Sequence, residues 1–409
     1  MIVNPTEAYV WVWLPGAAEP VVAGRLTDQG PVVTFTYGRS YLERSDAIAL
    51  YLPELPLRRG EITPISGEIA GCIADAGPDA WGRRVIEHQR IPESADLATL
   101  GYLLASGSNR LGALDFQQSA TEYIPQGHEQ VPLGELAEVA NRIENGVPLT
   151  PELERALFHG SSMGGARPKA VLVDGTQQMI AKFTSATDSY PVVKAEFVAM
   201  ELARRAGLNV ARVGFDTVLG RDVLLVNRFD RTVGGDRKMV VSALTILELH
   251  DADGIAGRYA TYPDLAFHIR SRFTDPDATL EELFARIAFN ILVGNTDDHA
   301  RNHAAFWDGA QLNLTPAYDI CPQNRVGEEA AQAMAYGDDG DRLSQVARCV
   351  AHSSIYHLTV AQAREIVDRQ FAVITEEWSS VCDQAELSTA DRDRLWGRQF
   401  LNPFALYGY

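Results

Sequence analysis

Residues 295–302 read Asn295-Thr-Asp-Asp-His-Ala-Arg-Asn302, a polar stretch set between two patterned ones. Ahead of it, Leu280, Leu283, Phe284, Ile287 and Ile291 fall on one helical face, and Gly294 marks the end of that helix. Thr279-Leu-Glu-Glu282 reads as a capping box at its start. Behind the polar stretch, Ala304–Trp307 and Gln311–Leu314 flank Asp308-Gly309, a hairpin signal. Tyr318-Asp319-Ile320 follows. The order is therefore helix, polar loop, hairpin and a further acidic residue.

Asp297 and Asn302 stand five positions apart. Protein-kinase catalytic loops carry an Asp and an Asn at that offset. There the Asp accepts the substrate hydroxyl proton and the Asn binds a metal. On this reading Asp297 is catalytic, and Asn302 and Asp319 hold the metal. The ordinary alternative is a loop that caps a helix, its Asp residues bonded to backbone. It is the better reading of the loop alone, and the order of loop, hairpin and Asp319 turns the balance toward kinase chemistry. His299 has no second His at ligand spacing and so reads as a residue orienting the loop, not a zinc ligand. Asp298 reads as a loop-stabilising acceptor.

The preceding region supports the same chemistry. Ala170–Val173, Gln178–Phe183, Val213–Leu219 and Asp222–Arg228 are strand-like, and Gly220-Arg221 reads as a hairpin turn. A helix is expected over Val192–Ala206, with Val193, Phe197, Met200 and Ala203 at helical spacing. Lys182 sits in QMIAKF. A lysine among apolar strand residues is usually an edge residue reaching for water. The functional reading is a phosphate-binding lysine held by Glu196, the strand-Lys and helix-Glu arrangement of kinases. Before these strands, Ser161-Ser-Met-Gly-Gly-Ala-Arg-Pro-Lys169 lets backbone approach a phosphate closely. It lacks Walker A spacing, so an ordinary glycine turn and an anion site stay equally open.

The 409 residues suit two or three domains at about 100–200 residues each. Hydrophobic residues are 46% and charged residues 22%, as in an ordinary globular protein. The chain has no run of about 18 apolar residues and no basic-then-apolar leader, so neither a membrane span nor a secretory signal is expected. Cys72, Cys321, Cys349 and Cys382 are scattered, which disfavours a zinc or disulfide framework and suits a reducing cytoplasm. With 36 basic and 54 acidic residues the net charge is −18, which repels a nucleic-acid backbone and argues against tight DNA binding by the chain alone. Only four basic residues are lysines, and Lys169, Lys182 and Lys194 cluster in one stretch, a weak pointer to a site that needs ammonium groups.

To about Phe116 the chain reads as short strands, Ala8–Leu14 and Val32–Tyr37, and then a helix over Pro78–Gln89. GSNRLGALDF reads as a turn and short strand, Gln117–Gly127 as a polar linker, and Val131–Glu144 as a helix. From about Ser242 the pattern is mostly helical.

With these residues in place, the chain resembles the HipA family of bacterial toxin-type serine/threonine kinases. The resemblance rests on PDAWGRR (78–84), LGALDF (111–116), SSMGGARPK (161–169), IAKF (180–183), LLVNRFDR (224–231), GNTDDHARN (294–302), LTPAYDI (314–320) and LNPFALYGY (401–409). It implies an α+β, two-lobed protein-kinase-like fold: a β-rich N-lobe, an α-helical C-lobe and an additional N-terminal α/β subdomain, over 121–232, 233–409 and 1–120. It implies ATP and Mg²⁺ as cofactors, with Asp297 catalytic and Asn302 and Asp319 on Mg²⁺. Lys182 and Lys169 would bind ATP phosphates under the backbone of Met163, Gly164, Gly165 and Ala166. Asn227 and Phe229 would lie at the adenine hinge, and His299 would face the nucleotide. Ser162 matches an autophosphorylated loop serine, with Ser161 beside it. The implied partners are a protein substrate such as an aminoacyl-tRNA synthetase and a small DNA-binding antitoxin. Arg167-Pro168 and Asn227 depart from the best-known form of the family, which has Gln-Glu and an acidic residue there. Two other readings stand beside this one: a pseudokinase-like binding module in an antitoxin-operator complex, and a small-molecule kinase on the same fold.

Overall fold

The computed structural model describes all residues except 1–4, 90–96, 127–130, 145–146, 148–149, 151–152, 154–168, 176, 186–187, 233, 251–258, 326 and 328. The fold is α+β and forms two compact units. One comprises Met1–Ala186, Thr217–Val241 and Phe306–Ala310, the other Thr187–Asp216, Ser242–Ala305 and Gln311–Tyr409.

In the first unit, β1 (Glu7–Val12), β2 (Val21–Asp28), β3 (Val33–Tyr37), β4 (Glu61–Ile62) and β5 (Leu114–Gln117) form a sheet in the order β4-β3-β2-β1-β5. β2 was not among the expected strands, because Gly24 and Arg25 interrupt its apolar run. Residues 117–126 are not a free linker. Trp11 donates Nε1–H to the Ser119 carbonyl at 3.0 Å. Tyr123 packs its ring 5.4 Å from Trp11 and 5.5 Å from Trp13, and its hydroxyl donates to Asp115 Oδ2 at 2.9 Å. One amphipathic side chain fastens an otherwise polar segment to the sheet.

A four-stranded sheet follows, from β6 (Lys169–Asp174), β7 (Gln177–Phe183), β8 (Val213–Val218) and β9 (Arg221–Asn227), in the order β6-β7-β9-β8. Its core joins Ala170, Ala181, Phe183 and Val223 to Leu136, Ala137 and Ala140 of the helix Leu133–Glu144. β7 is flanked on both sides, with Lys182 opposite Lys169 on β6 and Leu224 on β9. The edge-strand reading of Lys182 therefore fails. The β8–β9 turn lies one residue earlier than expected, at Leu219 and Gly220, both at positive φ (52° and 74°). A two-residue hairpin turn of this twist needs that conformation at both positions.

The second unit is mainly helical. The helix Pro276–Val293 begins a turn before the expected capping box. Asp275 is its N-cap, accepting from the Ala278 N–H at 3.2 Å, with Pro276 in the first turn. Thr279 lies inside the helix and its hydroxyl donates to the Asp275 carbonyl at 2.5 Å. Gly294 ends the helix at φ 70°, and a Cβ there would come within 2.7 Å of the Gln399 carbonyl oxygen, so glycine is required twice over. A capping box does open the helix Val360–Gln384, between Thr359 and Gln362. The expected hairpin strands form as β10 (Ala304–Trp307) and β11 (Leu312–Leu314). All four cysteines are free thiols. No described helix is long and apolar enough to cross a membrane.

Two of the quoted motifs meet inside the first unit. Arg228 grips Asp230 through two parallel bonds, Nε to Oδ1 at 2.9 Å and Nη2 to Oδ2 at 2.7 Å. Its remaining donors reach Asn109 Oδ1 and the Arg110 carbonyl, each at 2.6 Å. Asp230 also accepts from the Gly112 N–H at 2.7 Å and Arg231 Nη1 at 2.8 Å. Burial pushes the Asp230 carboxyl up, but the Arg228 and Arg231 guanidiniums outweigh it and hold it well below the usual carboxylate range. Its contribution to stability is thus complete above the unfolded-state value of about 4 and falls away as the pH drops below it. Asp230→Ala strands two buried guanidiniums and should cost about 3–5 kcal/mol in urea unfolding at neutral pH. An unchanged midpoint would show that the network is dispensable.

Candidate active site

In the second unit the segment from Gly294 to Asn302 leaves the helix Pro276–Val293 and closes with a short 3₁₀ turn, Ala300–Asn302. Asp297 is exposed and Asp298 is buried. That alternation follows from what Asp298 touches. It accepts from the Tyr262 hydroxyl in a short hydrogen bond and from Asn290 Nδ2 at 2.6 Å, and its Oδ1 lies 3.0 Å from His303 Nε2. Burial pushes the Asp298 carboxyl up, but the His303 imidazole and these hydrogen bonds overcome it and hold it below the ordinary range. Asn290 Oδ1 accepts in turn from Asn295 Nδ2 at 3.1 Å. Outer bonds complete the frame. The Ala333 N–H donates to the Thr296 carbonyl at 3.0 Å, and Gln332 Nε2 to the Asn295 carbonyl at 3.0 Å.

On this frame stand four of the expected site residues, Asp297, His299, Asn302 and Asp319. Asn302 Nδ2 donates to the Asp297 carbonyl at 3.2 Å. Its amide hydrogens are thereby turned inward, leaving Oδ1 as the atom for a cation. Asp319 lies at φ 59°, a conformation that a non-glycine residue rarely holds. Tyr318 beside it donates its hydroxyl to the Arg301 carbonyl at 2.7 Å, tying this stretch to the loop. Removal of water around the Asp297 carboxyl raises it. The His299 imidazole pulls it down, and the Asp319 and Asp298 carboxylates push it up again. Asp297 and Asp319 thus feel each other's charge. Carboxylate and carboxamide oxygens are the hard ligands that Mg²⁺ takes, so these residues fit that ion. His299 donates its backbone N–H to the Asp297 carbonyl at 2.9 Å, while its Nδ1 is buried without a partner among the described residues.

The remaining expected residues lie elsewhere. Lys182 is half-buried and Lys169 is buried, facing each other across β6 and β7 in the first unit. Asn227 ends β9 opposite Met179, and Phe229 packs edge-on to Phe306 at 5.8 Å. Glu196 is buried in the helix Val192–Arg205 of the second unit. Ser161, Ser162, Met163, Gly164, Gly165 and Ala166 lie outside the described residues. Sequence reasoning missed Tyr262, Asn290 and Asn295. Asn290 carried a signal, a carboxamide inside the apolar run IAFNILV; Tyr262 carried none, being linked to the loop only through the fold.

An acid-bearing loop followed by a hairpin and an acidic residue held at positive φ, in an α+β chain, defines the kinase-like class. Residues 161–378 match the HipA-like C-terminal domain and residues 12–117 the HipA N-terminal domain. The chain belongs to the HipA family. It is 27% identical over 340 residues to the Y4mE protein of Sinorhizobium fredii, covering 76% of each chain. To the serine/threonine-protein kinase toxin HipA of Shewanella oneidensis it is 26% identical over 205 residues, 44% of this chain and 47% of that protein. Among solved structures, a chain of the Shewanella oneidensis MR-1 complex of HipA, HipB and operator DNA superposes with a TM-score of 0.67 at 19% identity. The match covers 97% of this chain and 99% of that one, a likeness of fold.

Asp298 should bear the loop's stability. Asp298→Ala leaves Tyr262, Asn290 and His303 with buried groups unpaired and should lower unfolding stability by about 3 kcal/mol or more. Tyr262→Phe should cost about 1–3 kcal/mol. Guanidinium unfolding of both variants measures this, and values within error of the parent would refute the anchor.

Proposed function

We propose that the chain is an ATP- and Mg²⁺-dependent serine/threonine protein kinase of the HipA toxin type, acting in the cytoplasm. The observation that carries this is the pairing of exposed Asp297 with Asn302, which donates to the Asp297 carbonyl, close enough to Asp319 for their charges to interact. Bound Mg-ATP supplies the transferable γ-phosphoryl group. Asp297 takes the proton of an acceptor serine or threonine hydroxyl as it attacks. Asn302 Oδ1 and the Asp319 carboxylate hold Mg²⁺. Lys169 and Lys182 offset phosphate charge, with Glu196 supporting Lys182. Met163, Gly164, Gly165, Ala166 and His299 line the nucleotide, and Asn227 and Phe229 take the adenine end. Residues 1–120 serve as the N-terminal subdomain, 121–232 as the N-lobe and 233–409 as the C-lobe.

On the same reading a small DNA-binding antitoxin restrains the kinase, as the name of the HipA, HipB and operator DNA complex suggests for its fold relative. The net charge of −18 leaves operator contact to that basic partner. The target is a protein, such as an aminoacyl-tRNA synthetase.

Phosphotransfer from labelled ATP tests the site. Asp297→Asn and Asp319→Ala should each lose about 10²–10⁴-fold in rate, and Lys182→Ala should lose activity that Lys182→Arg does not fully restore. Wild-type rates in both acidic variants would refute the assignment. Ser162 is the proposed autophosphorylation site. Its phosphate adds about −1.5 to −2 charge beside a polyanionic ligand, so the phosphoform should bind ATP more weakly. Mass spectrometry after Mg-ATP incubation, followed by nucleotide titration, decides this. Phosphate on Ser161 alone, or unaltered ATP affinity, would count against it.

A further inference from the structure

Arg231 and Arg237 take no part in the chemistry above, yet they stand in a part of the first unit that buries more positive charge than its carboxylates balance. The two residues face each other as an antiparallel pair. Like charges at opposed positions of such a pair repel. Arg231 is spent on its surroundings. Its Nη1 donates to the Gly112 carbonyl and to Asp230 Oδ2, each at 2.8 Å, and its Nη2 to the Arg110 carbonyl at 2.6 Å. Arg237 is not. Its Nη1 donates to the Ser108 carbonyl at 2.8 Å, and no hydrogen bond or ion pair engages its Nε or Nη2 among the described residues.

The charges around it are already committed. Four guanidiniums, of Arg110, Arg228, Arg231 and Arg237, are buried here beside two carboxylates, of Asp115 and Asp230. Asp115 holds Arg110 at 2.7 Å, and Asp230 holds both Arg228 and Arg231. Two positive charges are left over, and Arg237 is the guanidinium without a carboxylate. Burial pushes it down to about 10, a pull that Tyr123 and Asp115 oppose and Arg228 adds to, so it stays charged at neutral pH.

Arg237 is nevertheless held in place. Its guanidinium carbon lies 3.5 Å from the centre of the Trp13 ring, which is itself buried and packed edge-on by Tyr123 at 5.5 Å. An aromatic face steadies the cation without using its N–H groups. The Nε and Nη2 hydrogens form one edge of the fork. Arg228 uses that same edge to hold the two oxygens of Asp230.

We infer that Arg237, steadied on Trp13, is the floor of a phosphate-binding site in which its Nε and Nη2 donate to two oxygens of one phosphate group. Such a group carries about −1.5 to −2 charge at neutral pH, which answers the two charges left over. None of these residues belongs to the machinery proposed for phosphotransfer, and the inference stands without that reading.

The test titrates the full chain by calorimetry with inorganic phosphate and, separately, with phenyl phosphate, at constant ionic strength, and follows the thermal midpoint without either. Arg237→Met keeps a side chain of similar length on the indole and loses the charge and the donors. It should weaken binding about 10- to 100-fold, the worth of a charge-assisted hydrogen bond, with the parent's midpoint. Arg237→Lys keeps the charge without the fork and should fall between the two. Lys182→Ala should bind as the parent does. Binding of both ligands assigns the site to a phosphoryl group on a larger molecule, and binding of inorganic phosphate alone assigns it to the free ion; either keeps the inference. A parent chain that binds neither overturns it, as does unchanged affinity in Arg237→Met or affinity lost in Lys182→Ala instead. If the Arg237→Met midpoint falls, Arg237→Lys decides: weaker binding at the parent's midpoint keeps the inference, and parent-like binding overturns it.

Discussion

A carboxylate buried beside an exposed one is the constraint on which the loop depends. Asp298 spends its charge inward on Tyr262, Asn290 and His303. An ionised group at that depth is tolerable only when its acceptor positions are filled. Asp298 sits at the centre of the tight turn closed by the His299 N–H on the Asp297 carbonyl, and its side chain turns inward while Asp297 stays exposed. The partners come from three places in the chain: the start of Tyr262–Arg272, the last turns of Pro276–Val293, and the residue after the 3₁₀ turn. The loop is therefore held by side chains of the helical unit as well as by its own hydrogen bonds. That is how a polar segment can present a carboxylate in a fixed place.

The first unit solves a related problem with arginine. Arg228 and Asp230 make a buried, two-pronged pair whose remaining donors are taken by Asn109, Arg110 and Gly112. This joins the strand-exit motif NRFDR to the NRLG turn ahead of β5 and fixes the five-stranded sheet to the four-stranded one. The lysine pair on β6 and β7 is different in kind. It sets two ammonium-bearing side chains on a single rung, with Asp79 Oδ2 3.8 Å from the Lys169 ammonium.

Much of this was legible in the chain. The four strands of the second sheet, the helix Val192–Arg205 and the hairpin after the loop follow from apolar periodicity and turn residues, and they form within a residue or two of their expected bounds. The failures share a cause. A capping box at Thr279 was outcompeted by Asp275 and Pro276 one turn earlier, since two local signals lay within reach of one helix start. The edge reading of Lys182 ignored strand order, which no local pattern encodes. The supposed linker hid a single tyrosine whose worth depends on two tryptophans about 110 residues away. The Asp–Asn spacing and Asp319 stand out in the sequence because kinase chemistry uses such residues at set offsets. The side chains that hold the loop were not, because only tertiary packing brings Tyr262 and Asn290 to Asp298.

The account's central claim is that the loop anchored by Asp298 presents Asp297 to a protein hydroxyl. The most direct measurement is a phosphoproteome of cells expressing the wild-type chain beside cells expressing Asp297→Asn at equal level. The account predicts new phosphoserine or phosphothreonine on one or a few proteins, together with slowed growth, in the wild-type cells alone. Identical phosphoproteomes with the same growth defect in both would contradict it and point to a chain that acts by binding.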